Sequence, residues 1–276
     1  MRFCLDDSPR FKMVELEATD STNTFIANYQ MPPTIEMALV TAEYQTSGRG
    51  QAGNHWESAP GCNLLFSILV RPKQLPASQL FALSEAIALS LHAVVSETLA
   101  ATDPAKQHRT FVKWPNDIYV DDNKIAGILI ENELCGQGIR RAIIGVGLNV
   151  NQQRFVSDAP NPISLWQLTG ILHERPFLME AIMGHFNHWY AQIEHGALEQ
   201  LHAHYRQVLY RGQPGHLWPF ADQAGQFMAS IEGVEPDGYL VLKDAEGSMR
   251  RYAFKEVSFI HQTPVRPEPP TTGRPA

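Results

Sequence analysis

Three short clusters in this sequence carry side chains able to handle a charged ligand. The first is Gln45-Thr46-Ser47-Gly48-Arg49-Gly50-Gln51-Ala52-Gly53-Asn54-His55-Trp56. Glycines let backbone N–H groups converge on an anion with no Cβ in the way. Arg49 adds a planar, permanently charged fork that suits a carboxylate or a phosphate. The second cluster is Lys113-Trp114-Pro115-Asn116-Asp117, followed by Lys124 beyond the turn Asp121-Asp122-Asn123. Burying a lysine with no partner is expensive, so two lysines on neighbouring apolar strands around one Asn-Asp pair call for a partner. The third is Asp20-Ser21-Thr22-Asn23, a run of N-cap residues. Capping needs one of them, which leaves hydroxyls and an amide for a ligand. Each cluster also has a plainer reading: a mobile surface loop, edge-strand lysines in solvent, and a simple cap.

Gly48 to Gly53 also matches G-x-G-x-x-G, the dinucleotide fingerprint. That fingerprint must open a helix and be followed by an acid about 20 residues on. Here the loop runs into Asn54-His55-Trp56 and the turn at Ala59-Pro60-Gly61, and Lys73 stands near the distant position. The dinucleotide reading is rejected. His185 and His188 are three apart, but no third metal ligand stands nearby in the sequence, so they read as a solvated or packed pair.

The elements that must position these clusters follow from periodicity. Residues 13–18 read as a strand, and Phe25, Ile26 and Tyr29 as a helix ended by Met31-Pro32-Pro33. Met37–Val40 leads into the glycine loop, and Asn63–Val70 is a strand closed by Arg71-Pro72. Across 79–100, Leu80, Leu83, Ile87, Leu91, Val94 and Thr98 recur at helical spacing, with Glu85, His92 and Glu97 off that face. That helix is assigned to packing, with His92 in solvent. Strands follow around Phe111–Val120, Lys124–Glu131 and Arg140–Val150. Gly145 and Gly147 mark a close approach to the backbone, and Asn149 ends the strand. Ser164 starts a short helix, Pro176 opens a longer one, Gly196 ends it, and another spans about 197–209. From Gly212 the texture changes to short alternating runs with turns at Asp237-Gly238 and Glu246-Gly247, which read as a small β-barrel or sandwich.

The chain has 276 residues, is 44% apolar and carries a formal net charge of -7. One large domain, or one large and one small, fits that length. The acidic balance argues against a basic nucleic-acid face. The apolar runs read as too short to span a membrane, and the N-terminal residues lack an apolar signal core, which implies a cytoplasmic protein. Cys4, Cys62 and Cys135 are odd in number and scattered, as reduced thiols would be.

Taken together, the motifs resemble the biotin–protein ligases, that is, biotin–[acetyl-CoA-carboxylase] ligases. The resemblance rests on Asp20-Ser21-Thr22-Asn23; on Gln45 to Gly50 with Gly53 and Trp56; on Lys113 to Asp117; on Lys124-Ile125-Ala126-Gly127-Ile128-Leu129-Ile130-Glu131; and on Gly145 to Val150. These occur in the family's order and spacing from about residue 14 to 262. The resemblance implies an α+β fold: a class II aminoacyl-tRNA synthetase-like catalytic domain with a mixed sheet at 1–212, a small SH3-like β-barrel at 213–262, and a disordered tail at 263–276. It implies that biotin, a substrate, reacts with ATP to give biotinyl-5′-AMP. The acyl group then passes to one lysine of a biotin carboxyl carrier protein or domain. Mg2+ would arrive with ATP, held mainly through phosphates, with Asp117 as a candidate protein ligand.

By position, Ser21, Thr22, Asn23, Gln45, Gly48, Arg49, Gly50, Lys124 and Gly127 are implied to bind biotin. Gln51, Asn54, Trp56, Lys113, Asn116 and Asn149 are implied to bind ATP, and Arg49, Lys113, Asp117 and Lys124 to be catalytic. Many members carry a basic residue where Gln51 stands and often another at Asn54, so this loop has a single cation. The catalytic region starts near residue 14, which leaves no room for a DNA-reading helix-turn-helix. No DNA and no membrane partner is expected, and a homodimer is left open. The rival readings are a lipoate or octanoate ligase of the same fold, which would lack the GRG and KWPND motifs, and a non-catalytic biotin-binding module, which would not need Lys113, Asp117 and Lys124.

Overall fold

The computed structural model describes residues 10–102, 108–157 and 160–260. Cys4, residues 103–107 of the polar connection and the tail at 263–276 lie outside the described residues. Seven strands form one mixed sheet: β1 (Phe11–Thr19), β2 (Met37–Gln45), β3 (Leu64–Val70), β4 (Thr110–Lys113), β5 (Asp117–Val120), β6 (Asn123–Cys135) and β7 (Gly138–Leu148). Their order is β1-β2-β3-β7-β6-β5-β4. β1 and β2 run parallel, and every other neighbouring pair is antiparallel. The stretch read as one strand from Phe111 to Val120 is a hairpin, β4 and β5, turned at Trp114-Pro115-Asn116. Lys113 and Lys124 are therefore not on neighbouring strands. β5 lies between them and carries Asp117.

Alternation along the strands divides the sheet into two faces. Ala142, Ile144, Val146 and Leu148 of β7 join the large core with Leu39, Phe66 and Ile68. That face is covered by helix α2 (Phe81–Thr102), against which α4 (Arg175–Glu194) and α5 (Leu198–Gln207) pack. Ile143, Leu69, Ala38 and Val40 point the other way and pack with Ile26 of the short helix α1 (Thr22–Asn28). Gly145 and Gly147 continue the face of Ile143. There the sheet is left without side-chain bulk, and space opens. Helix α3 (Leu165–Thr169) is fixed by a capping box in which Ser164 and Gln167 each accept from the other's backbone N–H.

Helix α2 has less solvent face than its sequence suggests. The segment Ala77–Thr102 is long and apolar enough to cross a membrane, yet 67% of its most apolar window is buried inside this protein. Sandwiched between the sheet and two helices, it buries Glu85 to 2% exposure. Glu85 Oε2 lies 2.6 Å from Nδ1 of His202 on α5. Burial pushes the Glu85 carboxyl up, and the hydrogen bond that His202 makes to Glu85 holds its imidazole above the ordinary range. His92, read as solvated, is half-buried with Nε2 3.1 Å from the Thr110 carbonyl. Burial pushes its pKa down. His185 lies 3.4 Å from Glu97, and His188 packs edge-on against Trp189. Among the described residues no group of three or more His, Cys, Asp or Glu could hold a metal ion.

The C-terminal strands form a second sheet: β8 (Trp218–Asp222), β9 (Gly225–Val234), β10 (Leu240–Asp244), β11 (Met249–Tyr252) and β12 (Ser258–Phe259). It is antiparallel, in the order β11-β10-β9-β8-β12. That order is open at both ends, so the barrel or sandwich read from the sequence reduces to one sheet among the described residues. Trp114 Nε1 donates to the Gly238 carbonyl at 2.9 Å, and the Phe254 ring stands edge-on to Trp114 at 6.4 Å. These contacts bring the second sheet against the turn that follows Lys113.

Candidate active site

A cavity of about 420 Å³ lies over the bare face of the first sheet. It falls within the size range of small-molecule sites. Its wall includes Ser21, Thr22, Asn23, Gln45, Arg49, Gly50, Gln51, Asn54, Trp56, Lys113, Asn116, Asp117, Lys124 and Gly127. Gly48 and Asn149 do not line it. Asn149 is buried at the end of β7, with Nδ2 on the Ile163 carbonyl at 3.0 Å. Gly48 is buried in the loop, where a Cβ would stand 2.6 Å from the Trp56 carbonyl oxygen.

The end of the cavity beneath α1 is lined by neutral side chains bonded within the protein, with the Arg49–Glu131 ion pair beside Asn23. Ser21 is the N-cap of α1 by backbone geometry, but its side chain makes no cap bond. Thr22 donates to Gln45 Oε1 from its backbone N–H at 2.7 Å and from its hydroxyl at 3.1 Å. Ser67 Oγ lies 2.8 Å from Thr22 Oγ1 and 2.6 Å from Asn23 Oδ1. Asn23 Nδ2 donates to Glu131 Oε2 at 2.8 Å and to the Leu129 carbonyl at 3.3 Å. The Asn23 amide is thus fully engaged within the protein. Ser67, which sequence reading missed, is fully buried on β3 and joins this network. A single serine in an apolar strand was the available signal.

What approaches the backbone at β7 is protein. A Cβ on Gly145 would stand 2.2 Å from Asn23 Oδ1, and one on Gly147 would stand 2.3 Å from Trp56 Cε2. Gly127, the register partner of Gly147, lies beneath the same indole. Trp56 therefore rests on a glycine pair that spans β6 and β7. Its Nε1 is buried with no hydrogen-bond partner, an orphan donor of the kind that ligand sites retain.

The loop closes on itself. Gly50 N–H donates to the Asn54 carbonyl at 2.7 Å, and Trp56 N–H donates to the Gly48 carbonyl at 2.9 Å. The glycine amides expected to converge on an anion are, at Gly50, spent on the loop's own fold. Only a single 3-10 turn, Gln51–Gly53, follows the glycines, consistent with rejecting the dinucleotide fingerprint. Arg49 forks onto Glu131, with Nη2 2.8 Å from Oε1 and Nη1 3.3 Å from Oε2.

The opposite end is charged. Lys124 Nζ lies 2.7 Å from Asp117 Oδ1, an ion pair whose approach misses hydrogen-bond alignment. It also stands 5.7 Å from the Trp56 ring centre. Lys113 pairs in register with Asp117 across the β4–β5 hairpin and donates to the Tyr119 hydroxyl at 3.0 Å. Burial pushes the Lys113 ammonium down to about 8. Asn116 braces the turn, with Nδ2 donating to the Ile128 carbonyl at 2.7 Å and its own carbonyl accepting from Ile128 N–H at 2.8 Å.

Phe254, Lys255, Val257, Ser258 and Phe259 of the second sheet complete this end of the wall. Phe259 lies 5.4 Å from Lys113 Nζ, ring centre to nitrogen. Nothing in the sequence signalled these residues, because their proximity to Lys113 depends on how the two sheets dock. In sum, one cavity joins a neutral polar pocket to a cluster of cations with a single carboxylate, Asp117, among its lining residues.

The model of the "Biotin/lipoate A/B protein ligase family" matches residues 15–149. Over 246 residues the chain is 30% identical to the bifunctional ligase/repressor BirA of Bacillus subtilis, covering 86% of this chain and 70% of that protein. Over 240 residues it is 29% identical to the biotin--[acetyl-CoA-carboxylase] ligase of Paracoccus denitrificans, covering 84% and 94%. Among solved structures, the biotin protein ligase from Aquifex aeolicus in complex with biotin and ATP shares the fold with a TM-score of 0.72. Its identity is 22%, with 91% of this chain and 99% of that chain covered.

Proposed function

Because this chain belongs to the biotin–protein ligases of the biotin/lipoate A/B protein ligase family, we propose that it joins biotin to ATP as biotinyl-5′-AMP and passes the acyl group to a lysine of a biotin carboxyl carrier protein or domain. The observation that carries this reading is the single cavity with one neutral and one cationic end. Biotin has a neutral ureido head and an anionic tail. The head would take the Thr22–Gln45 end, exchanging hydrogen bonds now made within the protein, while the tail would lie toward Lys124.

In the first step a carboxylate oxygen attacks the α-phosphorus, and pyrophosphate leaves. Both reactants are anions, so cations between them offset the repulsion and stabilise charge developing at phosphorus. Lys124 and Lys113 occupy that end, on either side of Asp117. No nucleophilic side chain is needed, since the substrate supplies the nucleophile, and holding the two in line contributes much of the rate. Trp56 and Asn116 would border the nucleotide base. In the second step a neutral carrier amine attacks the acyl carbon, and AMP leaves. Asp117 is the carboxylate placed to orient that amine. Arg49 and the loop would keep the reactive anhydride from water.

The donor set bears on Mg2+. Asp117 is held by Lys124, and the described residues offer no cage of carboxylates. Mg2+ would then travel on the phosphates of ATP, which suits an ion that binds through one or two carboxylates and substrate oxygens. The finer fold reading, a class II synthetase-like catalytic unit at 1–212 with an SH3-like unit at 213–262, belongs to the same proposal. So does a cytoplasmic location. No DNA-binding role is included, in keeping with the net charge of -7.

The test is direct. Incubation with biotin, MgATP and a purified carrier domain should add one biotinyl group to the carrier by intact mass. An unchanged carrier mass, with folded protein and a carrier that a known ligase does modify, would sink the reading.

A further inference from the structure

We infer that Lys255 is the cation that the second sheet supplies to the outer phosphates of the nucleotide, and to the pyrophosphate that leaves. The inference rests on the ligase reading for the identity of its ligand. A nucleoside triphosphate brings more negative charge than the loop can meet, since Arg49 is the loop's only cation and Gln51 and Asn54 are neutral. The other lining cations are already engaged. Arg49 is ion-paired with Glu131, Lys124 with Asp117, and Lys113 is bonded to Tyr119. Lys255 also lines the cavity and is exposed; its ammonium lies 5.9 Å from the Phe254 ring centre, and no ion pair is formed by it among the described residues.

Its placement is set from both sides. Phe254, just before it, stands edge-on to Trp114 at 6.4 Å. Phe259, just after the turn, lies 5.4 Å from Lys113 Nζ. Lys255 is therefore held at the charged end, away from α1. The turn is braced by Ala253 N–H donating to Glu256 Oε2 at 2.6 Å, and by buried Val257 beyond it. Lys255 itself has φ +71°, the left-handed region. A residue with a Cβ is strained there, where glycine would be relaxed. A flexible four-carbon stem ending in a compact ammonium suits a mobile polyphosphate better than a rigid fork does. An acidic segment of the carrier is the competing partner for the same ammonium, and the two half-reactions separate the cases.

The experiment compares the unmodified chain with Lys255→Met and Lys255→Arg in three assays: biotin-dependent exchange of pyrophosphate into ATP, calorimetric binding of magnesium pyrophosphate, and single-turnover transfer from supplied biotinyl-5′-AMP to a carrier domain. Lys255→Met should raise the KM for ATP and the Kd for pyrophosphate about five- to tenfold. The KM for biotin and the transfer rate should not move, and Lys255→Arg should restore most of the loss. Unchanged ATP and pyrophosphate constants would overturn the inference. So would a slowed transfer with an unchanged KM for ATP, which would hand Lys255 to the carrier. If the unmodified chain showed no exchange, the ligase reading would fail, while the pyrophosphate arm would still decide whether Lys255 binds it.

Discussion

At the α1 end of the cavity, Thr22, Gln45, Ser67 and Asn23 are neutral and bonded to one another. At the far end, Lys113 and Lys124 are cations whose partners are a phenol and one carboxylate. The two ends have different work to do. Neutral hydrogen bonds exchanged for others of the same kind change the free energy little, so on the proposed reading the α1 end would select by shape and register. A cation that has lost hydration gains more when an anion arrives than one in water does. Binding strength for the reacting groups, and sensitivity to charge, should therefore concentrate at the β4–β6 end.

The largest expected effect of breaking that contrast is at Lys124. On the proposed reading Lys124→Ala removes a cation beside the reacting groups, and it leaves Asp117 without its ion pair. Adenylate formation should fall about 10²–10³-fold, while thermal unfolding shows the fold retained. Near-normal pyrophosphate release by the folded variant would place Lys124 outside the chemistry.

The next effect separates the ends with a pair of methyl groups. Gly145→Ala puts a Cβ into Asn23, and Gly147→Ala puts one into Trp56. Each should cost about 1–3 kcal/mol through overpacking. The first should raise the KM for biotin more than that for ATP, and the second should do the reverse. Equal effects on both substrates would mean that the cavity does not divide as described.

The smallest effect is a pH limb. Lys113 is held near 8, below the ordinary lysine range, by burial. Its charged form, the one that can meet a phosphate, is present below that value and lost as pH rises through it. The free-enzyme parameter kcat/KM for ATP should fall above about pH 8. Lys113→Arg should move that limb upward, because arginine stays charged. A flat profile from pH 7 to 9.5 in the unmodified chain would remove Lys113 from phosphate binding.

The sequence made some of this legible and hid the rest for physical reasons. The glycines at 145 and 147 marked a close approach, but could not say that Asn23 and Trp56 make it. The Asp20–Asn23 run announced spare polar groups, and the structure spends much of that surplus on Gln45, Ser67 and Glu131. Alternation placed the strands, yet the run from Phe111 to Val120 reads as one strand where the structure turns a hairpin at Trp114-Pro115-Asn116. Glu85 looked solvent-facing because helical periodicity records one packing partner, and α2 has several. The approach of Phe254 to Phe259 toward Lys113 joins residues more than a hundred positions apart, and no local pattern reports it.

The central claim is that one cavity holds a neutral head and an anionic reaction centre at opposite ends. Biotin-dependent exchange of labelled pyrophosphate into ATP, run side by side with lipoate and octanoate, tests both ends in one measurement. The account predicts exchange with biotin and only background with the two fatty acids. Exchange that is equal or stronger with lipoate or octanoate would contradict it, since the polar α1 end would then play no part in choosing the substrate.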